Sequence, residues 1–417
     1  MPIDVLFVDD EPMLLAGLRR RLRSVASGWT MRFADSGAAA LEQLRQRPAD
    51  VVVSDVRMPG MDGVELLTRV RDRYPATLRV ALSGQTELEQ ALSAVSVTHR
   101  FLHKPCGADV LQTTVSELIA VKERISNPEM HAFVTHTGAL PASPLVVDRL
   151  NEVLLDPDAS IETIAEAVSA DPAITARVLE LANSVLIDAE RPAYDLPGAV
   201  AVLGPPLLRN LAAATAAREA FTSASESLST MAAALEEHSL AVAQLSAQIA
   251  GESLAGTAYS AGILHDIGLL VLAAQAPGHW AEVETRIAAG ADRLDAEEAV
   301  LGITHAQIGS HLLAFWGLPA TLYEAVAWHH DAPARSSWTM NPNHAVYLAE
   351  TLLTRLAADP AGDITAFEDL DAAYLESLRL TDRLPGLVRT ARNLLTGTEA
   401  NTEAAAGTEA AAGATAG

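Results

Sequence analysis

Apolar residues in the first 122 positions fall into short runs: DVLFV (4–8), DVVVS (50–54), LRVAL (78–82) and HRFL (99–102), with a weaker one at MRFA (31–34). Amphipathic stretches such as Met13 to Val25 and Val64 to Arg73 lie between them. Five such alternations predict an α/β domain, a doubly wound five-stranded parallel sheet with helices on both faces. From 140 to about 395 the period changes to that of a helix. Leu235, His238, Val242, Leu245 and Ile249 recur every three or four residues and share one helix face. Asp171 before Pro172 predicts an N-cap and first turn. The expected organisation is an α/β domain over 1–122, a linker or connecting helix over 123–139 and an all-helical domain over 140–355. A helical extension follows over 356–395. The last segment, 396–417, repeats TEAAAG without a large apolar residue, which predicts disorder.

Length agrees with this division, since 417 residues exceed one ordinary core. A formal charge of −24 opposes direct binding of nucleic acid or an anionic membrane by the body of the chain. The sequence has no recognisable DNA-binding motif or Gly-rich phosphate loop. The single cysteine, Cys106, allows no internal disulfide. MPIDVLFVDDEP does not read as a signal peptide, and the greasy stretch 261–276 is broken by His265 and Asp266. A cytoplasmic protein is expected.

Chemistry-bearing residues of the α/β part fall at the C-terminal ends of the expected strands: Asp9 and Asp10, Asp55, Ser83 and Lys104. Those ends form the ligand crevice of an open parallel sheet. Three carboxylates converging there would favour a hard divalent cation, typically Mg²⁺. A carboxylate beside such an ion can attack a phosphoryl group, with the lysine and serine stabilising the transferred oxygens.

VDDEP, SDVRMPGMDG, ALSGQ and RFLHKP together resemble the receiver domain of two-component response regulators, a flavodoxin-like fold. That resemblance implies phosphorylation of Asp55 by a cognate sensor histidine kinase. It implies a Mg²⁺ site from Asp9, Asp10, Asp55 and the Arg57 carbonyl. Ser83 and Lys104 would sense the phosphoryl group, and Phe101 would be the aromatic switch residue.

The helical part carries histidines on apolar stripes: His238, His305, His329 with His330 beside it, and the pair His265–Asp266 in GILHDIGLL. A lone histidine on such a face is usually a satisfied core residue. Several of them with an aspartate suit a transition-metal site of Fe, Mn or Zn type.

Their order resembles the HD superfamily of metal-dependent phosphohydrolases. The surrounding segments, including 140–184, 195–204, 236–250, 259–272, 304–319 and 325–333, are more similar to HDOD, the HD-related output domain. HD-GYP cyclic-di-GMP phosphodiesterases would have a lysine just after HDIG, a Gly-Tyr-Pro loop and a downstream acid. Here Leu269 occupies the lysine position, HHDAPARSSWTMNP has no Gly-Tyr-Pro, and Glu350 is the candidate acid. The resemblance therefore implies a phosphorelay response regulator with no catalytic residues in its output. Phosphorylation would control binding of a downstream protein or a nucleotide, with a homodimer as a candidate assembly. The enzymatic alternative is a phosphorylation-gated metal phosphodiesterase of a cyclic dinucleotide. A third reading is an adaptor that reaches DNA only through a partner.

Overall fold

A computed structural model describes residues 2–26, 28–84, 97–124, 134–135, 137, 140, 142–184, 192–219, 226–331, 339–360 and 372–396. Most of the expected linker and all but the first residue of the expected disordered tail lie outside the described residues.

The N-terminal part alternates β1 (Ile3–Val8), α1 (Pro12–Val25), β2 (Trp29–Ala34), α2 (Gly37–Gln46), β3 (Val51–Asp55), α3 (Gly63–Arg73) and β4 (Leu78–Ser83). It ends with β5 (Arg100–His103) and α4 (Ala108–Arg124). The five strands pair in parallel in the order β2-β1-β3-β4-β5. Helices cover both faces of the sheet, so its strands read as unbroken apolar runs, with Val5 to Val8 and Val51 to Val53 fully buried. Each helix turns one stripe inward, Leu15, Leu18 and Leu22 from α1 and Leu66, Leu67 and Val70 from α3. Ser36 and Asp62 cap α2 and α3 by accepting from Ala39 N and Glu65 N. Strand order reverses between β1 and β3, and that reversal opens the crevice at their C-terminal ends.

The described residues of the second part form helices joined by turns: α5 (Pro144–Leu155), α6 (Ile161–Ser169), α7 (Pro172–Asn183), α8 (Leu196–Glu219), α9 (Glu226–Ala250), α10 (Ala255–Leu264) and α11 (Ile267–Gln275). It continues with α12 (Pro277–Ala288), α13 (Arg293–Leu301), α14 (His305–Phe315), α15 (Ala320–Ala327), α16 (Pro342–Ala358), α17 (Ala372–Ser377) and α18 (Leu384–Thr396). Asp171 caps α7 as expected, accepting from Ile174 N. Gly204, at φ 70° and ψ 162° before Pro205 and Pro206, kinks α8 into two segments. Leu235, Val242, Leu245 and Ile249 of α9 are buried against α10 and α16, while α11 packs on α14. The stretch 255–275 is long and apolar enough to cross a membrane, yet 78% of its most apolar window is buried as the centre of this bundle.

Candidate functional site

Two clusters of polar side chains interrupt these apolar cores. The first sits in the crevice of the α/β part. Asp9 and Asp10 leave the end of β1, Asp55 is the last residue of β3, Ser83 the last of β4, and Lys104 follows β5. Lys104 Nζ lies 2.6 Å from Asp9 Oδ2 and 2.8 Å from Asp55 Oδ2. Oxygens of Asp9, Asp10 and Asp55 lie within 4.8 Å of one another, a spacing that one divalent cation can bridge. Burial pushes the Asp55 carboxyl above its ordinary range, while Lys104 pulls it down. Burial pulls Lys104 down, but the Asp55 and Asp9 carboxylates outweigh it and its net shift is upward. The Arg57 amide donates to the Asp55 carboxylate, so the loop after β3 is tied to the site. At Gly63 a Cβ would lie 2.0 Å from the Asp55 carbonyl oxygen, so only glycine lets α3 start this close to β3. Ser83 is fully buried and Phe101 is 2% exposed. The side chains expected to act on one phosphoryl group thus surround one crevice, with Phe101 packed in the adjacent strand.

The second cluster lies where α9, α10, α11, α14, α15 and α16 meet. His238 comes from α9, His265 and Asp266 from the break between α10 and α11, and His305 from the first position of α14. His329 and His330 follow α15, and Glu350 comes from α16. Gly268 lets α11 pack against the start of α14, since a Cβ there would lie 2.0 Å from the His305 carbonyl oxygen. Outer ring nitrogens are engaged: His265 Nδ1 with Gly262 O at 2.7 Å, His329 Nδ1 with Val326 O at 2.7 Å, and His305 Nδ1 with Glu297 Oε2 at 2.7 Å. Those bonds fix the tautomers and turn each Nε2 inward. There His305 Nε2 lies 3.0 Å from His330 Nε2, 3.3 Å from His329 Nε2 and 3.1 Å from Asp266 Oδ1. His265 Nε2 lies 3.3 Å from Asp266 Oδ2 and 3.6 Å from Glu350 Oε2, and His238 Nε2 lies 2.9 Å from the same Glu350 oxygen.

His305 Nε2 is within hydrogen-bonding distance of both His330 Nε2 and His329 Nε2, so without a metal one ring of each pair must carry a proton on that nitrogen. Buried Asp266 Oδ1 and His265 Nε2 have no partner in hydrogen-bonding geometry, although opposite groups lie within 3.3 Å. Two orphaned buried atoms among clustered imidazoles and carboxylates are what a bound cation would satisfy. Ligands held at about 2.1 Å on adjacent positions of one ion stand about 3 Å apart, which is the spacing here. The donors form two groups, Asp266–His305–His329–His330 and His238–His265–Glu350, with Asp266 facing both. The residues present therefore fit two divalent transition metals.

Without a cation the carboxylates impose their charge on the histidines. Burial pulls His265 down, but Asp266 and Glu350 outweigh it and raise it to about 9. Asp266 and Glu297 likewise outweigh burial and raise His305 to about 9. Burial and the neighbouring imidazoles push His330 down to about 3, and burial also lowers His329. Glu350 is held at about 2, its burial outweighed by His238 and His265.

Every histidine expected from the sequence reaches this cluster, as does Asp266. Glu350, the weakest inference, makes the 2.9 Å contact with His238. Leu269, at the expected lysine position, is buried at 9% exposure. Trp328 is 52% exposed beside His329, whereas Trp316 is buried under the Arg177 guanidinium at 3.9 Å. Glu297 was not anticipated. It is fully buried and accepts from both the His305 backbone N, at 2.8 Å, and Nδ1. Its signal is an acid eight residues before His305, in a helix whose other acids face solvent.

Comparison with known proteins adds a second line of observation. The response regulator receiver domain model matches residues 5–116, and the HDOD domain model matches residues 140–332. Transcriptional regulatory protein ZraR of Klebsiella oxytoca is 29% identical over 201 residues, 45% of this chain and 44% of that protein. Hydrogenase transcriptional regulatory protein HoxA of Cupriavidus necator is 38% identical over 129 residues, 30% of this chain and 26% of that protein. The chain thus spans less than half the length of these curated relatives. Among solved structures, MmoQ response regulator from Methylococcus capsulatus is 21% identical, covering 60% of this chain and 98% of that one, with a TM-score of 0.46. The signal receiver domain of an HD domain-containing protein from Pseudomonas fluorescens is 29% identical, covering 30% of this chain and all 100% of that one, with a TM-score of 0.28.

Proposed function

Because the chain belongs to the response regulators that join a receiver domain to an HDOD domain, we propose that Asp55 accepts a phosphoryl group and thereby controls a helical output that acts by binding. The observation that carries this reading is the position of Lys104 Nζ between Asp9 and Asp55 at 2.6 and 2.8 Å. An Asp55 oxygen attacks the phosphorus of a phosphohistidine on the kinase. The O–P bond forms, the N–P bond breaks, and the imidazole leaves. Lys104 and the Ser83 hydroxyl hold the transferred oxygens. Asp9, Asp10, Asp55 and the Arg57 carbonyl would hold Mg²⁺, which neutralises the charge that gathers there.

The output is read as non-catalytic because Leu269 removes a cation from beside any substrate phosphate, and electrostatic stabilisation is usually the largest catalytic contribution. The chain also has no Gly-Tyr-Pro between His330 and Pro342. We read the imidazole and carboxylate cluster as a resident metal centre of Fe, Mn or Zn that braces six helices and exposes a ligand-accessible mouth at His330, Trp328 and His238. Its occupant outside the chain is a downstream protein or a nucleotide. The setting is the cytoplasm, contact with nucleic acid is through a partner, and a homodimer is the candidate assembly.

Acetyl phosphate with Mg²⁺ should add one phosphoryl group to the intact protein and none to Asp55→Asn, as read by intact mass. The purified chain should leave cyclic dinucleotides uncleaved when loaded with Mn²⁺ or Fe²⁺. Turnover abolished by His265→Ala would replace the binding output with the phosphodiesterase reading.

A further inference from the structure

We infer that helix α14 is the mechanical link between the two domains, latched at its C-terminal end by Arg100 of the receiver and anchored at its N-terminal end in the histidine cluster. The inference rests on the reading of Asp55 as phosphoacceptor and names how its state reaches the output.

Arg100 opens β5, the edge strand of the receiver sheet, and immediately precedes the buried Phe101. Its guanidinium reaches across to the helical domain while Nη1 also donates to the His99 carbonyl at 3.4 Å. Nη2 donates to the Ala314 carbonyl at 2.7 Å, and Nη1 donates to the Phe315 carbonyl. These are carbonyls of the last turn of α14, where the helix dipole is negative, and Ala314 O also accepts from the Gly317 amide at 3.2 Å. One planar guanidinium bonding two such carbonyls is an orientation-specific contact that lysine's point charge does not reproduce.

The neighbourhood fixes the same junction. The His99 ring packs on Phe315 with centroids 5.4 Å apart. The Thr135 carbonyl, from the segment joining the domains, accepts from Arg79 Nη2 at 2.6 Å and lies 3.0 Å from His99 Nε2. β4, β5, the connecting segment and α14 therefore share one buried hydrogen-bonded joint.

At the other end of α14, about 16 Å away for 11 residues, stands His305, whose Nε2 is a donor of the cluster. A displacement of Ala314 and Phe315 along the helix axis is transmitted to His305, because a single hydrogen-bonded helix separates them. Room for such a displacement exists. Phe101, Arg100, Glu180 and Trp316 line a cavity of about 140 Å³ between the domains. Phe101 is thus both the residue expected to respond to Asp55 and a wall of the space beside the latch.

Hydrogen exchange on the full-length protein, with and without beryllofluoride and Mg²⁺, tests the latch. In the wild type, peptides around Asp55 and peptides covering 305–318 should both change on adding beryllofluoride. In Arg100→Ala, exchange over 312–318 should be about tenfold faster or more at rest, as expected for loss of a charge-assisted bond. It should also no longer respond, while the Asp55 peptides still do. Arg100→Lys, which keeps the charge and loses the fork, should be intermediate at rest; it is the working variant if the alanine form does not fold. An α14 response equal in wild type and both variants would overturn the latch, as would a wild-type α14 that ignores beryllofluoride while the Asp55 peptides respond. Silence of the Asp55 peptides themselves would remove the phosphoacceptor reading, and the inference with it.

Discussion

Removing Glu297 should destabilise the helical domain far more than an ordinary acid-to-alanine change. Its side chain is fully buried and accepts two bonds from His305, at 2.8 Å from the backbone N and 2.7 Å from Nδ1. Without a metal His305 is held at about 9, with Asp266 and Glu297 outweighing burial, so the ring is cationic at neutral pH. Glu297→Ala leaves that cation with one carboxylate fewer and an amide with no acceptor, which costs about 3–5 kcal/mol. Glu297→Gln keeps an oxygen acceptor and loses the charge, costing about 1–2 kcal/mol. The assay is urea unfolding of metal-free protein at pH 7, followed by tryptophan fluorescence, since Trp280, Trp316 and Trp328 report on this domain. The His305 pKa is raised in the folded state, so its contribution is complete below about pH 6.5 and is lost as pH climbs through about 9. The cost of Glu297→Ala should therefore shrink between pH 7 and pH 9.5. An alanine variant within about 0.5 kcal/mol of wild type, the range of an uninvolved surface change, would show that Glu297 does not hold His305.

Three further outcomes follow from the same geometry. Metal-free helical-domain stability should be greatest near pH 6–7: raised His265 and His305 lose their contribution above that range, and lowered His329 and His330 lose theirs below it; a thermal-melt series that is flat from pH 5 to 9.5 would contradict it. Saturation with Mn²⁺ or Zn²⁺ should raise the melting temperature and release protons on binding, because His265 and His305 must deprotonate to act as ligands; calorimetry in buffers of different ionisation enthalpy reads this, and His265→Ala should reduce the stoichiometry. Gly63→Ala should destabilise the receiver by several kcal/mol, because its Cβ would lie 2.0 Å from the Asp55 carbonyl oxygen; a near-normal unfolding midpoint would refute that.

Much of the architecture was legible in the chain because each level pointed the same way. Apolar runs such as Val51–Val53 gave buried parallel strands, and the acids and Lys104 beyond their ends fell in the crevice that the β1–β3 reversal opens. The histidines were recognisable as a set through their type and the HDIG neighbourhood. Their arrangement was not, because it depends on six helices meeting and on Gly268 letting α11 touch the His305 carbonyl. Glu350 and Glu297 were the least legible for the same reason. An isolated glutamate in a helix is normally a solvated residue, and only the tertiary packing turns these two toward imidazoles. The Arg100 joint lay beyond sequence reasoning altogether, since its partners are backbone carbonyls 214 and 215 residues away.

With Asp55 read as the phosphoacceptor, charge at that carboxylate should change the helical domain. Hydrogen exchange across 142–356 in the full-length chain tests it most directly, with wild type and Asp55→Asn compared in the presence and absence of beryllofluoride and Mg²⁺. A change is expected in the helical domain of the wild type and none in the variant. A helical domain unmoved in the wild type, while the receiver peptides around Asp55 are protected, would contradict it.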